Sequence, residues 1–513
     1  MKKHLWTICL LFITTNLLYS QEYWSKRYDI EFGNEYGSQI IAQEDGFLVF
    51  MWGFCGLVNP DFCYGIIKFD LEGEKQWQSL MYDTIGPNAY VAMAIRNDTI
   101  FVNTDYKTKE GFSVLAYDLQ GSYLGRHDYW HPTVPYSLVA RTIKSKGERL
   151  FVNFSYKDTL ENRGKYKTRV YDAAWNQLWE VKLPDNTLYP KIAYADMDVC
   201  ADGGIVTACV SYMSVYKSVC TIQKYDANGN KVWTTLLDGI YENSSVPASI
   251  QALPDGGCMG HWTISDWDVF LLYPFPDIWF KLDADGQIVW QKIDERKTQN
   301  RNFINTFVAQ NGDLIGCGYG TDSPYDTIDD PHRNYAHIAR IKPDGQLRWA
   351  RRIYEIKDGG YYPTLYHGAE LENGDLIFTG YVWDTIQTPQ NPSWDDLWLL
   401  KLDSNGCFSP GCDDYQFVLP AYEPTQAVHL DAFTTFPNPC SEQFTVAAKL
   451  GKPLPDGDYH LALFDASGRV ILKEAFNPNL LKTVTSRDLM PGLYTLVIFR
   501  NGMETQTLKV VKR

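Results

Sequence analysis

Three long segments of the chain mix aromatic and acidic side chains, a combination suited to binding sugars. Segment 265–278 is rich in aromatic residues, segment 321–335 is rich in charge, and segment 384–396 carries both kinds. Aromatic rings stack on sugar rings, and carboxylates accept hydrogen bonds from sugar hydroxyls. The alternative is that the aromatic residues pack these segments onto the scaffold while the acids stay solvated. The candidate ligand-binding residues are Trp267, Tyr273, Phe275, Asp326, Asp329, Trp394 and Asp395.

Motifs elsewhere in the sequence predict no catalytic residue, metal ligand or cofactor site. Asp283, Asp285 and Gly286 superficially resemble a calcium loop, but the remaining ligands and flanking helices of an EF-hand are missing. His127 and His131 lie four residues apart without a helix to present both to one metal ion. Phosphate-loop, zinc-protease and nucleophile-elbow signatures are lacking too.

A repeated unit fills the middle of the chain and must position these segments. Seven times, an apolar strand ends in an Asp-containing turn and leads into another strand, which usually begins with Trp. Trp233, Trp290 and Trp349 mark strong copies at intervals of 57 and 59 residues. A second turn recurs upstream in most units, so each unit predicts two hairpins, or four antiparallel strands. Seven units predict an all-β, seven-bladed β-propeller over residues 21–412.

The two ends of this region complement each other. The last unit reaches Asp403 and Gly406 but then continues with Cys407 and Phe408 instead of a Trp-led strand. A segment that begins with Trp24 resembles the missing strand. We therefore expect the N-terminal strand to complete the last blade and close the ring. The tight turns then share one face, and the three long segments share the opposite face, where binding residues usually lie.

The first 20 residues have the order typical of a secretory signal peptide. Lys2 and Lys3 precede an apolar stretch over 5–18, which is followed by the small residue Ser20. The alternative is an anchoring membrane helix, but the apolar run is shorter than a membrane span requires. No later segment is predicted to cross a membrane.

Export would place the cysteines in an oxidising compartment, where disulfides form. Cys55 with Cys63 and Cys407 with Cys412 are close enough in sequence to close a loop. Cys209 and Cys220 could face each other across a hairpin. The other cysteines, including Cys258 and Cys317, are expected to be small buried hydrophobic residues.

The pattern changes after a linker predicted over 413–431. Short alternating strands joined by Asp-Gly and Pro-Gly turns predict a small Ig-like β-sandwich over 432–513. The motif residues are Phe436, Pro437, Asn438, Pro439, Asp465, Gly468, Arg469, Pro491, Gly492 and Tyr494. In this order they closely resemble the type A C-terminal sorting domain of the type IX secretion system of Bacteroidetes. The alternative is a second ligand-binding sandwich of Ig type.

The resemblance implies a route out of the cell. The signal peptide would direct the chain through the inner membrane, and the type IX secretion and sortase machinery would then recognise the C-terminal domain. The protein would be secreted, or anchored to the outer surface of the outer membrane.

The net charge of the propeller region limits the classes of partner that it can bind. The chain has 47 basic and 62 acidic residues, and the net charge over 21–431 is −20. An acidic propeller argues against a nucleic-acid partner and is compatible with neutral glycans, peptides, cationic partners or divalent ions. One interpretation is a non-enzymatic propeller that binds a glycan or a protein. The other is an extracellular polysaccharide hydrolase or lyase that uses carboxylates of the long-segment face. The first is favoured because no segment combines an acid, a base and a stabilising group.

Overall fold

The computed structural model shows only strands as regular structure in the residues that it describes. It describes residues 23–28, 30, 34–55, 61–85, 92–105, 111–130, 139–158, 163–183, 191–214, 217–237, 241–242, 245–264, 277–294, 300–321, 334–354, 360–384, 395–408, 412, 432–449, 454, 459–465, 470–487, 489–500 and 503–513. Over these ranges, no helix is long and apolar enough to cross a membrane.

The first 29 strands form the larger unit. They are β1 (Trp24–Tyr28), β2 (Glu35–Gln43), β3 (Gly46–Cys55), β4 (Asp61–Phe69), β5 (Lys75–Ile85), β6 (Met93–Arg96), β7 (Thr99–Asp105), β8 (Gly111–Asp118), β9 (Tyr123–Trp130), β10 (Val139–Lys146), β11 (Arg149–Asp158), β12 (Arg163–Tyr171), β13 (Gln177–Leu183), β14 (Lys191–Val199), β15 (Ile205–Ser214), β16 (Lys217–Tyr225), β17 (Lys231–Leu236), β18 (Tyr241–Glu242), β19 (Ser245–Ala252), β20 (Cys258–Ile264), β21 (Asp277–Leu282), β22 (Ile288–Asp294), β23 (Asn300–Val308), β24 (Leu314–Thr321), β25 (Asn334–Ile341), β26 (Leu347–Ile353), β27 (Gly360–Glu370), β28 (Leu376–Asp384) and β29 (Asp395–Leu402).

These strands pair into seven antiparallel sheets, the blades of a propeller. Blades 1 to 6 are β2–β5, β6–β9, β10–β13, β14–β17, β19–β22 and β23–β26, and β18 adds a short fifth strand to blade 4. Blade 7 has the order β27, β28, β29, β1. The first strands of successive blades contact each other from β6 to β27, β27 contacts β2, and Gln39 of β2 is hydrogen-bonded to the backbone of Met93 in β6. The predicted seven-bladed fold class is confirmed.

The N-terminal strand supplies the outermost strand of blade 7. In the antiparallel pairing of β1 with β29, Trp24 lies opposite Lys401 and Tyr28 lies opposite Leu397. The Tyr28 hydroxyl donates a 2.6 Å hydrogen bond to the Gly73 carbonyl of blade 1. Strand β1 therefore joins the last blade to the first.

The repeated Trp and Gly residues join neighbouring blades. Buried apolar clusters lie between adjacent blades, and at their outer edge a Trp covers the Gly of the next blade's turn. Trp233 lies over Gly286, and its indole N–H donates a 2.8 Å hydrogen bond to the Ala284 carbonyl. Gly286 has φ +78°, and a Cβ there would lie 2.6 Å from the Trp233 ring, so both backbone conformation and space require Gly.

One junction reverses this arrangement. The outer strand of blade 2 has Gly125 at the Trp position, and the turn of blade 3 has Trp175, with φ 64°, at the Gly position. Trp175 stacks on His127 of blade 2 with ring centroids 4.6 Å apart and planes 2° apart. The aromatic ring is therefore supplied by the turn instead of the strand, which explains why the repeat is weak at these two units.

The cysteine predictions are partly confirmed. Cys407 and Cys412 form a disulfide, and Cys63 is also disulfide-bonded, whereas the side chain of Cys55 lies outside the described part. The Cys209–Cys220 pairing is wrong, because both thiols are free. Strand register gives the reason: Cys220 lies opposite Val210, one residue beyond Cys209, and successive side chains point to opposite faces of a sheet. Cys258 and Cys317 are buried and free, as expected.

The smaller unit spans Tyr422–Arg513. Its strands are β30 (Phe433–Phe436), β31 (Gln443–Ala448), β32 (Tyr459–Phe464), β33 (Val470–Ala475), β34 (Lys482–Thr485), β35 (Gly492–Arg500) and β36 (Met503–Lys512). They form two sheets, β30-β31-β34 and β33-β32-β35-β36, which enclose a buried apolar cluster. This is the predicted Ig-like sandwich.

Candidate functional site

Most of the predicted ligand-binding residues lie outside the described residues. These are Trp267, Tyr273, Phe275, Asp326, Asp329 and Trp394. Asp395 is described and is the first residue of β29.

Asp395 lies where blade 7 meets blade 1, at the strand ends away from the tight turns. The missing side chain of Gly37 allows the two blades to approach closely. A Cβ on Gly37 would lie 1.9 Å from the Thr379 Oγ1 and 2.7 Å from the Leu397 Cδ1. This approach brings the neighbouring Tyr36 against Asp395, and the Tyr36 hydroxyl donates a hydrogen bond to the Asp395 Oδ2.

Four aromatic rings continue from this hydrogen bond across the two blades. Tyr36 lies opposite Trp52 in the β2–β3 register, and their rings stack with centroids 4.1 Å apart. The Tyr381 ring packs edge-on against the Tyr36 ring, with ring centroids 4.9 Å apart. The Tyr366 ring stacks on the Tyr381 ring, with centroids 5.7 Å apart. The pairing of β27 with β28 skips Tyr366, which is the extra residue of a β-bulge. Bulges redirect a side chain and recur beside functional sites.

Burial shifts the pKa of the Asp395 carboxyl group, the acidic group of this site. Asp395 is only 7% exposed, and this burial raises its pKa to about 6; the Tyr36 hydrogen bond opposes the rise and the charge of Asp396 adds to it. Burial, together with the acceptor Asp395, raises the pKa of Tyr36 above its usual range. At neutral pH, therefore, an ionised carboxylate accepts a hydrogen bond from a protonated phenol.

We call Tyr36, Trp52, Tyr366, Tyr381 and Asp395 the aromatic–carboxyl cluster. Tyr319 of blade 6, which is 40% exposed, lies close enough to raise the pKa of Tyr366. The cluster offers ring surfaces, hydroxyl groups and one carboxylate, the groups that recognise sugars.

The four aromatic members were not predicted, because they lie within strands, where aromatic residues normally belong to the core. A signal was nevertheless present in the sequence. Gly37 interrupts a predicted strand immediately after Tyr36, and glycine inside a strand indicates close approach of another backbone or ligand. Combined with the expected closure of blade 7 onto blade 1, this indicates the position of the cluster.

A second charged group lies on the inner strands and joins blades 3, 4 and 5. The Lys144 Nζ is 3.5 Å from the Asp198 Oδ1. Asp196 accepts a 3.2 Å hydrogen bond from the Ile250 N–H, and Asp198 accepts a 2.9 Å hydrogen bond from the Ala252 N–H. Both carboxylates therefore cap backbone groups of the next blade.

Among the described residues, no three His, Cys, Asp or Glu side chains are grouped so that they could hold a metal ion. His127 stacks on Trp175, and His131 lies outside the described part.

The sorting motif places its N-terminal loop beside the last strand. The Asn438 side chain donates to the Lys509 carbonyl at 2.6 Å and accepts from the Val511 N–H at 2.9 Å. The Tyr494 hydroxyl donates a 2.9 Å hydrogen bond to the Met490 carbonyl. Phe436, Pro437, Pro439, Asp465, Pro491 and Gly492 are also described, whereas Gly468 and Arg469 are not.

This sandwich belongs to a known class. Residues 434–513 match a family described as "Secretion system C-terminal sorting domain". The chain is thus a β-propeller followed by a sorting domain of the type IX secretion system, and this domain supports secretion or attachment to the cell surface.

Solved structures similar to this chain are propellers and enzymes at low sequence identity. Polysaccharide lyase Uly1 is 12% identical, with a TM-score of 0.45, over 76% of this chain and 94% of that protein. The β-propeller domain of the Trilobed protease from Pyrococcus furiosus is 9% identical, with a TM-score of 0.41, and the match covers 77% of this chain and 98% of that domain. A protein of unknown function from Dyadobacter fermentans is 11% identical, with a TM-score of 0.43, and the match covers 74% of this chain and 99% of that protein. The search of curated proteins returned no match.

Proposed function

We propose that this protein is a secreted, non-enzymatic propeller that binds a glycan at the aromatic–carboxyl cluster. Residues 1–20 serve as its signal peptide, and the sorting domain delivers it to the medium or to the outer surface of the outer membrane. The observation that carries the binding proposal is the unbroken contact of four aromatic rings, one of which is hydrogen-bonded to a buried carboxylate.

The composition of the cluster favours a sugar over a purely apolar ligand. Sugars present apolar ring faces and polar hydroxyl edges, and both need a partner in a binding site. Aromatic rings cover the faces, while the hydroxyls of Tyr36, Tyr366 and Tyr381, which are hydrogen-bonded within the protein, can still accept hydrogen bonds from sugar hydroxyls. The cluster lies at the strand ends away from the tight turns, and such ends of a rigid scaffold usually carry binding residues.

A glycan array probed with the mature full-length protein tests this proposal. We expect binding that Tyr381→Ala weakens, because Tyr381 contacts both Tyr36 and Tyr366. Tyr123→Ala is the matched control, since Tyr123 lies exposed on an outer strand of blade 2. Equal loss of binding in both variants, or binding to no glycan, would contradict the proposal.

The raised pKa of Asp395 supports a second candidate, a polysaccharide hydrolase or lyase. A carboxyl group with a pKa of about 6 can act as an acid or a base near neutral pH, and Asp396 is its neighbour in sequence. Incubation of the wild-type protein with polysaccharides, followed by measurement of new reducing ends, distinguishes this candidate from simple binding. Cleavage that Asp395→Asn abolishes would favour the enzyme.

A further inference from the structure

Asp395 is a buried acid of this propeller that lacks a cation. Across the described residues it has no ion-pair partner, and its one side-chain hydrogen bond comes from Tyr36. Asp313, by contrast, lies 2.7 Å from the Arg340 Nε and 2.6 Å from the Arg348 Nε, which lower its pKa. A buried carboxylate is normally paired, because an unpaired buried charge is costly.

The surroundings of Asp395 supply what a bound cation needs. Aromatic rings attract cations to their faces, and an ammonium group gains further from a carboxylate at close range. Tyr36 contacts Asp395 directly, and Trp52 and Tyr381 contact Tyr36. The net charge of −20 over 21–431 also attracts a positively charged ligand.

We infer that the glycan recognised by the aromatic–carboxyl cluster contains an amino sugar, whose protonated amine pairs with Asp395. This inference rests on the proposed function and adds a substrate class to it. The amine completes the missing ion pair, and the sugar ring lies against the aromatic side chains. The tyrosine hydroxyls favour a sugar over a lysine side chain, because they can still accept hydrogen bonds from sugar hydroxyls, whereas a lysine stem has no hydroxyl group to donate.

The experiment compares two oligosaccharides that differ only at nitrogen. Isothermal titration calorimetry measures binding of the glucosamine hexamer and of the N-acetylglucosamine hexamer to the mature full-length protein at pH 6.5 and pH 5. Removing a charge-assisted hydrogen bond typically costs about tenfold or more in affinity. We therefore expect the glucosamine hexamer to bind at least about tenfold more tightly at pH 6.5. The preference should shrink at pH 5, because the pKa of Asp395 is about 6.

Two variants test whether the preference for the glucosamine hexamer depends on the Asp395 carboxylate. Asp395→Asn should bind the two hexamers equally, since the amide is nearly isosteric but uncharged. Glu372→Gln removes the same charge from an exposed position in the tight turn that follows β27, and it should keep the wild-type preference. A preference that survives in Asp395→Asn would overturn the inference.

The remaining outcomes separate this inference from the proposed function. Equal binding of both hexamers by the wild type would overturn the amino-sugar inference and leave glycan binding standing. Binding of neither hexamer, together with a blank glycan array, would overturn both. A trilysine peptide serves as a third ligand. If it binds while the glucosamine hexamer does not, the site takes a cationic peptide and the inference is wrong.

Discussion

Replacing Asp395 by Asn should stabilise the propeller at neutral pH. In the folded protein the carboxyl group has a pKa of about 6 because it is buried, whereas its ordinary value is 3.8. Between pH 3.8 and pH 6, the Asp395 carboxyl group is protonated in the folded state and ionised in the unfolded state. The contribution of Asp395 to stability is therefore fully present below pH 3.8 and is lost as pH rises through 6.

The pKa difference sets the size of the effect. A rise of about two pKa units corresponds to roughly 3 kcal/mol, at 1.36 kcal/mol per unit. Asp395 is 7% exposed, so solvent screening reduces this figure little. The free energy of unfolding of Asp395→Asn, relative to the wild type, should rise by about 3 kcal/mol between pH 4 and pH 7.

Tryptophan fluorescence during urea unfolding measures this difference in the full-length protein. All 16 tryptophans precede residue 399, so the signal reports the propeller and not the sorting domain. Glu372→Gln, which removes an exposed carboxylate, should follow the wild type at both pH values. A pH-independent difference between Asp395→Asn and the wild type, or a loss of stability that grows toward pH 7, would refute the reasoning.

Three further predictions concern the scaffold and the export signal. Gly37→Ala should destabilise the propeller by about 2 kcal/mol because its Cβ meets the Thr379 Oγ1, and Thr379→Ala in the same chain should recover part of this loss in urea unfolding. Trp175→Gly should cost about 2 kcal/mol in urea unfolding because the ring stacked on His127 is lost, and an unchanged free energy of unfolding would contradict this role of Trp175. Deletion of residues 434–513 should retain the protein inside the cell, as fractionation and immunoblotting will measure, and unchanged levels in the medium or on the surface would contradict the assigned export route.

The fold was readable from the sequence because its determinants are local. Each Asp-x-x-Gly turn carries its own hydrogen bonds: the Asp70 carboxylate accepts from the Glu72 and Glu74 N–H groups, and Gly73 takes the positive φ. This Asp-x-x-Gly pattern recurs in five of the seven blades and, with one end residue changed, in the other two, so it specifies strand order without knowledge of distant contacts. The sorting domain was recognisable for the same reason, since its motifs lie in short continuous segments.

The binding cluster was harder to predict because it depends on contacts between distant parts of the chain. Tyr36 and Asp395 are separated by 359 residues and meet only because the ring closes. The β-bulge that places Tyr366 leaves no distinctive residue type in the sequence. The reversed pair Gly125 and Trp175 was likewise hidden, because each residue looks like a defect until both are seen together.

A crystal structure of the protein with the glucosamine hexamer tests the central claim most directly. The account predicts sugar density against the rings of the aromatic–carboxyl cluster, with one amine nitrogen within about 3 Å of an Asp395 carboxylate oxygen. Density elsewhere on the propeller, with the cluster empty while the ligand saturates the protein in solution, would contradict it.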